Sequence, residues 1–185
     1  MNRIAPYLGP LLLPLLLLGC GDLSPEAEHV CEHTEEAHYR VSQQAVVDCT
    51  ERADTGYIRG ESYPITVVTV DDKPVATNTA NAYWLMQNAA AADGVQIRIV
   101  SGFRTQAEQQ YLYNCYLNGN CNNGNLAARP GYSNHQSGLA LDLNTSAAGV
   151  LTWLNANGES FGFRRTVPSE NWHWEWRGGV PDDGI

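Results

Sequence analysis

His135, Asp142 and His173 are the residues whose types and spacing point to chemistry. Asp142 stands in Leu139-Ala140-Leu141-Asp142-Leu143-Asn144, where leucines alternate with small or polar residues. In a strand the leucines take one face and Asp142 the other, toward a cleft or solvent. The same alternation in Trp172-His173-Trp174-Glu175-Trp176 puts the tryptophans on one face and His173 with Glu175 on the other. His135 lies at the entrance of the leucine strand, in Ser133-Asn134-His135-Gln136-Ser137-Gly138. Two imidazoles and one carboxylate with a common destination form the donor set of a catalytic zinc ion, which keeps a fourth position for water. Periodicity alone leaves a plainer reading open. A histidine among tryptophans packs more often than it ligates, and an aspartate on a polar strand face is usually only solvated. A second pattern, His29-Val30-Cys31-Glu32-His33, fits the H-x-x-E-H arrangement of inverted zincins. It lies in a polar segment with no large domain around it, and reads as an exposed acidic helix with chance histidines.

The elements that must carry these residues follow from patterning. Ile65-Thr66-Val67-Val68-Thr69-Val70 is β-branched and predicts a strand, closed by a turn at Asp71-Asp72-Lys73-Pro74. Residues 79–92 predict a helix stopped by Gly94. Val95, Ile97 and Ile99 alternate with Gln96 and Arg98 and predict a second strand. Thr105-Gln106-Ala107-Glu108 matches a capping box, so a helix starts there and runs to about Leu117, leaving Ser101-Gly102-Phe103-Arg104 in the turn before it. Residues 118–133 are rich in Asn, Gly and Pro and predict a long loop, which in a small domain is more often functional than idle. The leucine strand comes third, residues 147–156 form a helix, and the tryptophan strand comes fourth. Strands and helices mix without a βαβ repeat, so the fold class is α+β, a small antiparallel sheet flanked by helices.

With 185 residues, 43% of them hydrophobic, the chain can bury one sizeable core and is neither fibrous nor wholly disordered. Its net charge of −9 excludes unassisted nucleic-acid binding, which needs a basic surface. Residues 1–19 carry Arg3 and an apolar run too short for a membrane span, and read as a signal peptide. Leu17-Leu18-Gly19-Cys20 resembles the lipobox of bacterial lipoproteins, which implies cleavage before Cys20 and diacylglycerol on its sulfur. The mature protein would be exported and held on a bacterial membrane by lipid, needing no basic patch. Cys31, Cys49, Cys115 and Cys121 remain, an even set that in an oxidising setting pairs into two disulfides. Cys115 and Cys121 enclose a turn-rich stretch that can join them locally. Cys31 and Cys49 can pair only if the chain between them folds back, because a straight helix would hold them about 27 Å apart. A four-cysteine zinc site is the rival, weakened by the lack of any Cys-x2-Cys. Residues 20–60 then form the lipid anchor, a tether and a helical elaboration, and residues 61–185 the catalytic domain.

Ser133-x-His135-x-x-Gly138-x-Ala140-x-Asp142 is similar to the SxHxxGxAxD motif of the D-Ala-D-Ala metallopeptidases, the M15 group of VanY-like carboxypeptidases and VanX-like dipeptidases. Glu170-Asn171-Trp172-His173-Trp174 resembles that family's second motif, an acid three residues before a histidine. Ser101-Gly102-Phe103-Arg104-Thr105 with Gln109 resembles its SGYRS segment and downstream glutamine. The likeness covers about residues 64–177. It implies a Hedgehog/D-Ala-D-Ala peptidase-like fold with one zinc ion on His135, Asp142 and His173. Glu170 would be the general base and then the acid for the leaving amine, and Arg104 would stabilise the oxyanion. Ser133 and Gln109 would hold the substrate peptide. In a regular strand Glu170 and His173 face opposite sides, so the chain must turn or bulge near Asn171; Glu175, on the His173 face, is the rival base. The implied function is a monomeric zinc carboxypeptidase trimming the terminal D-alanine from peptidoglycan stem peptides. Its rivals are a D-Ala-D-Ala dipeptidase or an endopeptidase on the same site, and, in another class, a zinc-stabilised cell-wall binding module without turnover.

Overall fold

The computed structural model describes residues 47–178. The expectations for residues 1–19, Cys20, the His29 to His33 pattern and Cys31 lie outside the described residues, as does the side chain of Cys49.

Two tight turns shape the first half of the domain. Strand β1 (Val47–Ile58) and strand β2 (Glu61–Val70) pair antiparallel, Ile58 opposite Glu61, around Arg59 and Gly60. Strand β3 (Lys73–Ala76) pairs with β2 around Asp71 and Asp72, Val70 opposite Lys73. All four turn residues have positive φ, from 51° to 90°, which lets a two-residue loop match the strand twist. The helical expectation for residues up to 60 is therefore corrected over 47–58, and the boundary drawn at residue 60 falls inside a hairpin. The apolar spacing there is irregular, and pairing with the β-branched β2 outweighs a weak helical pattern.

Helix α1 (Thr77–Ala92) follows β3 directly and ends where Gly94 takes a φ of 77°. Only Ile99–Ser101 of the second expected strand is regular; it is β4. Ahead of it Asn144 takes over the ladder, its Oδ1 accepting from the Arg98 N–H and its Nδ2 donating to the Gln96 carbonyl. Helix α2 (Gln106–Asn118) starts on the expected capping box, with Thr105 and Glu108 hydrogen-bonded reciprocally, and stops at left-handed Gly119. Strand β5 (Ala140–Leu143), helix α3 (Val150–Asn157), strand β6 (Phe163–Arg164) and strand β7 (His173–Trp176) complete the domain. The second sheet has the order β4-β5-β7-β6, all antiparallel.

One face of this sheet carries Ile99, Leu141, Leu143 and Trp174 into a core with Tyr83 and Met86 of α1 and Trp153 and Leu154 of α3. Asp71 ties the two sheets together by accepting from the Tyr83 hydroxyl and the Ile99 N–H. The other face is left for the site. Trp172 does not join the buried tryptophans: it precedes β7 in a turn and is 42% exposed at the cleft mouth.

Candidate active site

The β4-β5-β7 register sets three polar side chains in a row, Ser101 opposite Asp142 and Asp142 opposite His173. The expectation that His173 and Asp142 share a face away from the core holds, and β7 adds Glu175 two residues along. His135 reaches the row from the loop before β5. That loop is clamped by the β1-β2 hairpin: the Tyr57 N–H donates to the Gln136 carbonyl and the Tyr63 hydroxyl to the Ser137 carbonyl. Gly138, with a φ of 70°, completes it; a Cβ there would lie 2.6 Å from the Ala76 Cβ and 2.7 Å from Ile65 Cδ1.

His135 Nε2 lies 3.3 Å and His173 Nδ1 3.2 Å from Asp142 Oδ1. The possible ligand atoms of the three residues all fall within 4.8 Å of one another. Tetrahedral zinc with bonds of about 2.1 Å separates its ligand atoms by about 3.4 Å, so the cluster has the dimensions of a zinc site. The remaining nitrogens are occupied as well. His135 Nδ1 is 2.8 Å from the Gly102 carbonyl and His173 Nε2 is 3.1 Å from Glu175 Oε1. Acceptors there fix each imidazole with its other nitrogen free for a metal. The donor set, spacing and outer acceptors all fit zinc.

Charge in the site is balanced locally. Burial opposes ionisation of Asp142, but hydrogen bonds from both imidazoles and the Arg104 charge hold its carboxyl well below the usual range. Burial lowers His135. Burial also opposes a charged His173, yet Asp142 and Glu175 on its two nitrogens push it up to about 9. Glu175 is buried too, but bonds from His173, Thr166 and Asn134 and the Arg177 charge bring it down to about 2.

An open cleft of about 280 Å³ runs over this row, and Arg104, Gln109, Ser133, Glu170, Trp172 and Glu175 line it with the three candidate ligands. Arg104 follows β4 in the expected turn. Its Nη2 donates to Asp142 Oδ2 at 2.8 Å and to Ser101 Oγ at 3.1 Å. Burial lowers its pKa against the opposing pull of Asp142, Glu108 and Glu170. Glu170 enters the cleft because the chain does turn near Asn171, the His173 N–H donating to the Glu170 carbonyl. Among the described residues no hydrogen bond or close ion pair restrains its half-buried carboxylate. Glu175, the rival base, is only 2% exposed and already accepts several hydrogen bonds. Gln109, 1% exposed, donates to the Ala128 carbonyl and keeps Oε1 unpartnered. Ser133 is buried and its Oγ accepts from the His135 N–H at 3.3 Å. Cys115 and Cys121 are disulfide-bonded and carry the loop that bears Asn122, Asn125 and Leu126 along the cleft wall. Sequence reasoning missed the parts played by Asn134 and Thr166, both bonded to Glu175, and by the Gly102 carbonyl. The last was within reach, since Gly102 stands in a quoted motif.

Residues 72–179 match the family described as VanY, D-alanyl-D-alanine carboxypeptidase. The chain belongs to the VanY family. It is 32% identical over 117 residues to the D-alanyl-D-alanine carboxypeptidase of Enterococcus faecalis, a match covering 49% of this chain and 44% of that one. The chain spans just under half the length of the curated relatives it matches. Two VanY structures show the same architecture. One is a mutant vancomycin resistance D,D-pentapeptidase VanY from a VanB-type cassette in complex with Zn(II), with a TM-score of 0.55, 27% identity, and coverage of 66% of this chain and 83% of that one. The other is VanYB in complex with D-alanine-D-alanine, with a TM-score of 0.54, 28% identity, and coverage of 63% and 79%. These likenesses place the chain in the Hedgehog/D-Ala-D-Ala peptidase-like fold that its motifs implied.

Proposed function

We propose that this VanY-family chain is a zinc D,D-carboxypeptidase that hydrolyses the terminal D-Ala-D-Ala bond of peptidoglycan stem peptides. The observation that carries the reading is the convergence of His135, Asp142 and His173 with Arg104 and Glu170 in one cleft. A metal held only for stability needs neither of the last two, which speaks against a binding module without turnover. The D-alanine-D-alanine bound to VanYB and the zinc bound to VanY support the substrate class and the metal.

Zinc held by His135, Asp142 and His173 would polarise the scissile carbonyl and acidify water. Glu170, unrestrained in the cleft, takes the proton from the attacking water and returns it to the leaving amine, a role worth about 10² to 10⁴ in rate. Arg104 is fixed by Ser101 and Asp142 and presents a preorganised positive charge to the developing oxyanion. To Gln109 and Ser133, which line the cleft, we assign the holding of the peptide. The setting belongs to the same proposal: export by the signal peptide, lipid on Cys20, and a monomer working on the wall side of a bacterial membrane.

Incubating the zinc-loaded protein with a stem pentapeptide and weighing the products tests this reading. Loss of one alanine is expected. With free D-Ala-D-Ala as a second substrate, cleavage of the dipeptide while the pentapeptide stays intact would make the chain a dipeptidase. An internal cut would make it an endopeptidase, and no product from either substrate would return it to the binding-module class.

A further inference from the structure

The hydrolytic reading leaves one buried charge without a task. Glu175 lies on the site face of β7, 2% exposed, and four protein groups already converge on its carboxylate. Its Oε1 accepts from His173 Nε2 at 3.1 Å, from Asn134 Nδ2 at 2.8 Å and from the Thr166 hydroxyl. Its Oε2 faces the Arg177 guanidinium. Each bond reaches a segment that carries part of the site. Asn134 is the neighbour of His135. Thr166 belongs to the connection between β6 and β7 that holds Glu170. His173 is a candidate ligand on the same strand as Glu175, two residues away.

The geometry of His173 shows what a carboxylate at this point does. Both neutral tautomers of an imidazole are populated in water, and only the one protonated on Nε2 can offer Nδ1 to a metal beside Asp142. Without a metal, Asp142 and Glu175 face the two nitrogens of His173, Nδ1 lying 3.2 Å from Asp142 Oδ1; where a metal takes the place of the Nδ1 proton, the fixed anion at Nε2 keeps the other proton in place. His135 is set the opposite way, its Nδ1 proton held by the Gly102 carbonyl and Nε2 directed inward. The two rings meet edge to face with centroids 5.1 Å apart. A half-turn of the His173 ring would put Cδ2 where Nδ1 stands and Cε1 where Nε2 stands, and so withdraw Nδ1 from the cluster.

We infer that Glu175 is a positioning residue: it fixes His173 with its proton on Nε2 so that Nδ1 faces the metal, and through Asn134 and Thr166 it locks the loops of His135 and Glu170 to that same oxygen. The inference rests on the zinc reading above. It places the consequence of losing Glu175 in metal affinity first, where removal of such an outer-sphere partner costs about 10- to 100-fold.

Glu175→Gln keeps the volume but removes the anion, and Glu175→Ala frees the ring entirely. Competition against a chromophoric chelator should show zinc affinity falling at least about tenfold in Glu175→Gln and further in Glu175→Ala. The visible spectrum of the cobalt-substituted Glu175→Gln protein should change with the altered His173 ligation. Asn134→Ala and Thr166→Val, which spare the Glu175 bond to His173 but each release one loop, should lower zinc affinity less than Glu175→Gln does; a loss as large as that of Glu175→Gln would overturn the assignment to His173. A Glu175→Gln protein that folds and binds zinc as the parent does overturns the inference while leaving the zinc reading intact. A parent that binds no zinc overturns both. Should the Glu175 variants fail to fold, long-range proton-nitrogen NMR spectra of the zinc-loaded parent decide the matter. His173 is expected to carry its proton on Nε2, and a proton on Nδ1 sinks the inference.

Discussion

Asp142 stands directly opposite His173 across the β5-β7 ladder, with Oδ1 3.2 Å from the imidazole Nδ1, while its Oδ2 accepts from Arg104. One carboxylate thus joins the candidate metal cluster to the cationic group beside it. In the metal-free protein its charge is met by Arg104 and the imidazoles, so no isolated buried anion is left behind.

Removal of zinc should therefore cost activity and some stability without unfolding the domain. Dialysis against a strong chelator is expected to abolish hydrolysis, and stoichiometric zinc to restore it. With free zinc at about 1,000 times its dissociation constant, the loaded protein should be more stable by about 4 kcal/mol. Thermal melts with and without zinc measure this, and full activity after verified metal removal would refute the mechanism.

Glu170→Gln should lower kcat by about 10² to 10⁴. Its zinc content should be unchanged, because Glu170 lies outside the His135, Asp142 and His173 cluster. Kinetics with a stem pentapeptide, paired with metal analysis, separate the two quantities. A variant as fast as the parent would remove Glu170 from its role.

How much of this was legible in the sequence depended on the range of the interaction. The period of two in β5 and β7 placed Asp142 and His173 on one face, because side-chain alternation is local and needs no knowledge of the partner strand. The Thr105 and Glu108 capping box fixed the start of α2 for the same reason, and with it the turn that presents Arg104. The strand at 47–58 was not legible. Its identity comes from the β2 ladder, and its own residues carry no strong alternation. Trp172 was misread because the pattern of tryptophans continues past the strand end, whereas the backbone turns between Glu170 and His173. The bonds from Asn134 and Thr166 to Glu175 span 41 and 9 residues and depend on folded loops.

Arg104→Lys keeps the charge and should still fail. The guanidinium reaches Ser101 with Nε and Nη2 and Asp142 with Nη2 at once, a planar spread that a compact ammonium does not reproduce. Loss of one preorganised oxyanion donor costs about 10² to 10³ in kcat. The expected result is a loss in that range at saturating zinc, read from initial rates on pentapeptide. Activity within about threefold of the parent would place the oxyanion stabilisation elsewhere.

The Cys115 and Cys121 disulfide should act on substrate binding more than on chemistry. It fastens the last turn of α2 to the start of the loop that carries Asn122, Asn125 and Leu126 along the cleft wall. Closing so short a loop restricts the unfolded chain modestly, about 2 kcal/mol in the entropic account. The Cys115→Ser, Cys121→Ser double variant should therefore fold, melt at a lower temperature and bind zinc as the parent does. Freed at one end, the wall must be ordered by the peptide itself, so KM should rise several-fold while kcat changes little, because Glu170 and Arg104 stand on other segments. Steady-state kinetics on pentapeptide, with zinc affinity measured alongside, test the split. An unchanged KM with a lowered kcat would show that the loop acts on the chemical step instead.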